Sequence, residues 1–126
     1  MKCLCTTCCK RKRRDAQPLP ARKRYLSRRI RFVLQESRRL KTPLLILSGK
    51  YGLLTPEQKI PWYDRVLLAN DVESLSRKLV QQLSRREVSS VVFYARPRKT
   101  AGWHPYYTAI ETACERLKIP LRFRKV

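Results

Sequence analysis

Ser48-Gly49-Lys50-Tyr51-Gly52, followed by Tyr63-Asp64, gathers a hydroxyl, an ammonium, two phenols and a carboxylate into one short span. Lys and the backbone N–H groups of glycine turns hold phosphate, aromatic rings stack on bases, and a carboxylate meets a base edge, a ribose hydroxyl or a proton in transfer. These residue types point to recognition or turnover of a nucleotide. Asp64, Lys50 and Tyr63 are the candidate catalytic groups, and Ser48, Gly49, Lys50, Tyr51, Gly52, Tyr63, Asp64, Arg96 and Tyr107 the candidate ligand pocket; Lys10, Lys12 and His104 can converge on the same level. Each also has a purely structural reading. Asp64 can pair with Arg65 or cap a turn, Tyr51 and Tyr63 can be core aromatics with wetted hydroxyls, His104 can open a helix before Pro105, and Gly49 and Gly52 can serve tight turns.

The elements that must position these groups are readable from periodicity. Leu44-Leu45-Ile46-Leu47 is a continuous apolar run that stops at Ser48-Gly49, the pattern of a buried strand emptying into a loop. In open α/β sheets such loops at the carboxyl ends of the strands form the ligand site. Residues 1–7 and Ser89 to Ala95 read as two more strands, and Ile119 to Phe123 as a last one. Arg22 to Leu40 carries Leu26, Ile30, Val33, Leu34 and Leu40 at helical spacing, and a helix capped by Asn70 or Asp71 follows with Val72, Leu75, Leu79 and Leu83. Gly102-Trp103-His104-Pro105 opens a third, with Tyr106, Ile110, Ala113, Cys114 and Leu117 on its buried side. The order β-α-β-α-β-α-β predicts an α/β fold: a single three-layer domain over residues 1–126, with a mostly parallel four-stranded sheet flanked by about three helices and a basic, Cys-rich segment at 1–21.

Thirty Lys and Arg face nine Asp and Glu, a net charge of +21, which solubility alone does not require. Residues 1–41 hold 15 of the cations and 2 of the carboxylates. A one-sign surface of this density suits a polyanion, so Lys10, Arg11, Lys12, Arg13, Arg14, Arg22, Arg24, Arg28 and Arg31 are the expected phosphate contacts of DNA or RNA. Nucleic acid is thus the expected partner, with a nucleotide or base as a second ligand. Binding without catalysis is the leading function class; an enzyme acting on a nucleobase or nucleotide at the 48–64 loop is the alternative. No apolar stretch approaches the roughly 18 residues that span a bilayer, and no apolar leader follows Met1-Lys2. The chain reads as cytoplasmic and full length, without a membrane partner. Four of its five cysteines crowd residues 3–9, where a reducing compartment and a strand-plus-loop role are the simpler reading. The metal alternative draws on Cys3, Cys5, Cys8 and Cys9, but the second ligand pair usual in structural zinc sites is missing, and no metal is expected.

Several motifs in order carry a resemblance. Cys8-Cys9-Lys10-x-Lys12 after the first strand, Pro20-Ala21-Arg22 with Tyr25, Leu47 to Leu54 with Pro56, Pro61 and Tyr63-Asp64, and Gly102 with Tyr106-Tyr107 resemble a small uncharacterised α/β domain of bacteria, archaea and phages. That family commonly has Cys-Ser-x-x-Lys, Pro-Ala-Arg-x-Tyr, Ser-Ala-Lys-Tyr/His-Gly-Leu-Leu and Pro-Tyr-Asp. Here Cys9 replaces the usual Ser, and Trp62 separates Pro61 from Tyr63. The central loop is also similar to that of YaaA-type peroxide-stress proteins, and this likeness implies DNA binding. Phosphate-loop, dinucleotide, serine-hydrolase and His-Glu-x-x-His motifs are all missing, so no cofactor is expected.

Overall fold

A computed structural model describes all of residues 1–126. In chain order the elements are β1 (Lys2–Thr7), β2 (Leu19–Pro20), α1 (Ala21–Arg24), α2 (Arg28–Leu40), β3 (Leu44–Ser48), β4 (Gly52–Leu54), β5 (Lys59–Ile60), α3 (Val72–Arg85), β6 (Ser90–Ala95), α4 (His104–Leu117) and β7 (Leu121–Lys125), with a 3-10 turn at Ala69–Asp71. The main sheet has the order β4-β3-β1-β6-β7 and is parallel except for β4. No helix is long and apolar enough to cross a membrane.

β1 is central because it is apolar on both faces. Cys3 and Cys5 pack on one side with Leu45, Leu47, Val91 and Phe93, beneath Leu75, Leu79 and Leu83 of α3 and Ile110 and Ala113 of α4. Leu4 packs on the other with Leu44, Ile46 and Tyr94, under Ile30 and Val33 of α2. Period-2 alternation thus assigns successive strand residues to opposite cores. Each fully buried leucine or isoleucine contributes about 1.5–3 kcal/mol, which makes this double burial the main force for folding.

The sheet has one strand more than the four expected, and a separate β2-β5 ribbon and a fourth helix are added. Gly52, at φ +74°, turns the chain back so that Gly52–Leu54 pairs antiparallel with Ser48–Ile46; a three-residue strand after a glycine turn reads as loop in sequence. The expected helix over 22–40 is two helices. Tyr25 is extended and forms a bridge with Lys12, and the Ser27 side chain accepts the Ile30 N–H at 3.1 Å, so the long helix starts at Arg28. Leu26, ahead of that start, and Leu40, its last residue, are therefore 44% and 42% exposed rather than in the core. Asp71 precedes α3, but its carboxylate accepts the Leu68 N–H and caps no helix N–H.

Arg24 corrects the largest expectation. Read as a solvent-facing phosphate contact, it is 0% exposed. Its guanidinium donates to the carbonyl oxygens of Arg13, Asp15, Gln17 and Ile60, at 2.7 to 3.3 Å. All five donors of the guanidinium fork are thereby used. These bonds, with Arg13 N–H to Arg24 O and Leu26 N–H to Arg11 O, fasten the basic arm to α1 and to β5. Arg24→Ala should leave several buried carbonyls unpaired and cost about 3 kcal/mol, whereas Arg28→Ala on the exposed face should stay within about 0.5 kcal/mol. Urea midpoints of the two variants check this; equal shifts would show that the guanidinium does not hold the arm.

Candidate functional site

The parallel strands β1, β3 and β6 end at Thr7, Ser48 and Ala95. Beyond β1 lies a cavity of about 330 Å³, floored by Thr7, Cys8 and Cys9 and walled by Lys10 and Lys12, Asp64 to Leu67, and Ala101 to Trp103 with Tyr106. Its size falls at the lower end of the roughly 300–1,000 Å³ typical of small-ligand sites.

Arg29 builds the floor. From the first turn of α2 it donates to Thr6 Oγ1 at 2.6 Å, to the Thr7 carbonyl at 2.8 Å and to the Cys8 carbonyl at 3.3 Å. Its guanidinium also lies over the Trp103 ring at 4.9 Å. One side chain therefore ties the end of β1 to the entrance of α4. Burial in this crevice lowers its pKa from the ordinary value.

Beside the floor runs a chain of hydroxyls. Tyr63 OH bonds Tyr25 OH and, at 3.0 Å, Ser48 Oγ, while Tyr106 OH meets Cys8 Sγ at 3.4 Å. Burial, followed by the neighbouring Cys8, raises the pKa of Tyr25, Tyr63 and Tyr106. All three remain neutral hydroxyls at physiological pH, able to donate as well as accept. Lys12 Nζ stands 4.5 Å from the Tyr63 centroid, and Lys50 Nζ stands 5.3 Å from Tyr51 and 5.5 Å from Tyr63.

The residues singled out in the sequence separate into distinct places. Asp64, Lys10 and Lys12 line the cavity. Ser48 is buried, with its Oγ accepting the Lys50 and Tyr51 N–H groups at 3.1 Å, and Tyr63 is buried beside it. Lys50, Tyr51, Gly49 and Gly52 belong to that supporting loop and are not part of the cavity lining. The three groups read as catalytic, Asp64, Lys50 and Tyr63, are thus not gathered around one cavity. Arg96 is exposed outside the cavity, and Tyr107 turns away from it: its OH donates to the Arg96 carbonyl and its ring stacks on Phe123. His104 is exposed at the start of α4. Sequence reasoning passed over Arg29, Trp103 and Tyr106 as site residues and weighed Cys8 only as a metal ligand. Their common signal is position, since each lies just after a parallel strand or in the first turn of a helix packed on one.

The cysteines do not gather. Cys3 and Cys5 lie in the core with Cys114, while Cys8 and Cys9 are half-buried in the loop, Cys9 donating to the Arg11 carbonyl at 3.0 Å. No three His, Cys, Asp or Glu side chains approach closely enough to hold a metal ion, which removes the four-cysteine alternative.

The cavity and the loop beside it fall within one family match. The chain belongs to the family described as a family of unknown function (DUF6884), whose model matches residues 4–122. The matched span includes every residue lining the cavity. No curated protein and no solved structure matches the chain.

Burial pushes the Cys3 thiol up to about 12 and the Cys114 thiol up to about 11, from an ordinary 9.0. Thiols whose folded pKa is raised contribute stability that is complete below the unfolded value and disappears as pH climbs from there towards the folded values. The melting temperature should therefore hold steady up to about pH 8 and fall between about pH 9 and 12. A thiol reagent at pH 8 should label Cys8 and Cys9 first, and the other three only on unfolding. Early labelling of Cys3 or Cys114 would contradict the burial.

Proposed function

We propose that this protein binds nucleic acid through its phosphate backbone, using the N-terminal arm and the exposed face of α2. The observation that carries the reading is the supply of unpaired cations. Seven of the thirty Lys and Arg side chains meet a carboxylate, and the rest include Lys10, Arg11, Lys12, Arg14, Arg28 and Arg31. Arg13 and Arg22 are engaged with Asp15 and Glu57, and Arg24 is enclosed, so they are set aside as primary contacts. A folded surface rich in cations without internal partners gains most from a polyanion, because each contact releases a condensed counterion.

The arm is held in place rather than left to be ordered by the ligand. Its backbone is pinned by the Lys12 bridge to Tyr25, by Arg24 and by the β2-β5 ribbon. Arg14 lies over the Trp62 ring at 5.3 Å, which places a flat aromatic beside the charge. Pre-positioned cations reduce the entropy lost on binding. The likeness of the central loop to DNA-binding peroxide-stress proteins agrees with the same reading.

Binding to duplex DNA should weaken steeply with salt, with a log-log slope of about −5 for six phosphate contacts. Replacing Arg28 and Arg31 together with Gln should reduce the slope by about 2, while replacing the exposed pair Arg85 and Arg86 at the end of α3 should leave it nearly unchanged. Titrations at several salt concentrations decide the matter. Affinity that is independent of salt, or equal losses from both pairs, would reject the assignment.

A further inference from the structure

The cavity beyond β1 differs from the rest of the cationic surface because it is concave and half apolar. Val66, Leu67, Ala101 and Trp103 supply apolar wall, and Lys10 and Lys12 supply charge on the opposite segment. Resting on the nucleic-acid reading above, we infer that this cavity receives one unstacked nucleotide unit of a bound strand, its phosphate at Lys10 and Lys12 and its base against the Trp103 wall.

The division of labour among the cations argues for this. Arg65 is paired with Asp71 at 3.4 Å, and Arg29 commits three of its five donors to Thr6, Thr7 and Cys8 while lying over Trp103. Lys10 and Lys12 have no carboxylate partner. Lys12 donates once, to the Lys10 carbonyl at 3.3 Å, so its other ammonium donors are open. Held over the Tyr63 ring, Lys12 has a defined place at the cavity edge. Two ammoniums from one fixed turn fit a single phosphate.

The apolar wall decides the rest of the ligand. A phosphate alone gains nothing from Trp103 or Leu67, whereas an attached base removes their surface from water and contributes about 25 cal/mol per Å² of apolar area buried. Stacking of a base on protein aromatics is worth about 1–3 kcal/mol. Asp64 is the single carboxylate in the lining and has neither a hydrogen bond nor an ion pair with the protein. As an acceptor only, it suits a base carrying an exocyclic amino group, whereas uracil and thymine offer it a single N3–H flanked by two carbonyl oxygens that repel a carboxylate. A base inside a duplex cannot reach such a recess, so the unit must come from a single-stranded or mispaired position.

The test uses the full chain carrying Trp62→Phe, which leaves Trp103 as its one tryptophan. Trp103 emission is titrated at low salt with 5′-AMP, 5′-UMP, inorganic phosphate, a short single-stranded oligonucleotide and the matching duplex. Saturable quenching by 5′-AMP and by the single strand, with 5′-UMP and phosphate each at least tenfold weaker and the duplex bound without quenching, is the expected result. Lys12→Gln should weaken 5′-AMP at least tenfold at an unchanged melting temperature, and Asp64→Asn should narrow the gap between 5′-AMP and 5′-UMP. If strands bind with steep salt dependence while neither they nor 5′-AMP alter Trp103, the cavity inference falls and the surface reading stands. If 5′-AMP binds and no strand does, the cavity serves a free nucleotide and the strand-borne ligand is rejected together with the surface reading. Phosphate binding as tightly as 5′-AMP would reduce the cavity to an anion site and overturn the inference.

Discussion

A chain with thirty cations and nine carboxylates cannot give every enclosed guanidinium an acidic partner, and this molecule resolves the shortage with main-chain oxygen. Arg24 is enclosed among four carbonyls, and Arg29 is half-enclosed against two carbonyls and the Thr6 hydroxyl. Carbonyl oxygen carries partial negative charge and a fixed direction, so an arginine satisfied this way also orders the backbone that supplies it. Arg24 orders the arm, and Arg29 orders the end of the central strand. Lysine could not substitute at either place, because three donors from a single nitrogen cannot span the same set of acceptors.

This arrangement leaves the carboxylates for the surface, where they are too few to pair more than a minority of the cations. Were the buried cations satisfied by Asp or Glu, fewer carboxylates would remain for the exposed ion pairs such as Glu73 with Arg77 and Arg116. Exposed pairs of that kind contribute little to stability, and high like charge works against compactness. The apolar packing on both sides of β1 must offset that repulsion. The basic face is thus tolerated by the core rather than needed for folding, a separation of roles in which surface cations can be retained for an external partner.

Much of the architecture was legible because burial imposes periodicity. The apolar run at Leu44 to Leu47, the stripe Leu75, Leu79 and Leu83, and the Ser90–Ala95 strand all follow from it. The break at Tyr25 to Ser27 was not legible, since it depends on Lys12 pairing with Tyr25 and on the partner found by the Tyr25 hydroxyl, both distant in sequence. Arg24 was misread for a related reason: one arginine in a basic run looks like the others until the chain folds back over it. At the site, composition pointed to Lys10, Lys12 and Asp64, which do line the cavity. Tyr106 and Tyr107 are neighbours with opposite fates, and a helical phase uncertain by one residue cannot assign one to the cavity and the other to Phe123.

The conspicuous Ser48 to Gly52 motif has the geometry of a support. From α3, the Gln82 amide donates to the Tyr51 carbonyl at 3.1 Å and accepts the Leu53 N–H at 2.7 Å, which occupies the free edge of β4 and fixes the loop. A Cβ at Gly52 would collide with that same side chain, in a backbone conformation that already disfavours one. A Cβ at Gly49 would sit 3.2 Å from both Leu67 Cβ and Tyr106 OH. Such contacts are tight, so Gly49 lets Tyr106 approach closely enough to reach Cys8. Ser48 anchors the other side by holding Tyr63, over which Lys12 lies. The loop thus acts through its neighbours: it sets the positions of Tyr106 and Lys12, the groups that meet the cavity, and its small residues follow from how closely those groups must pack.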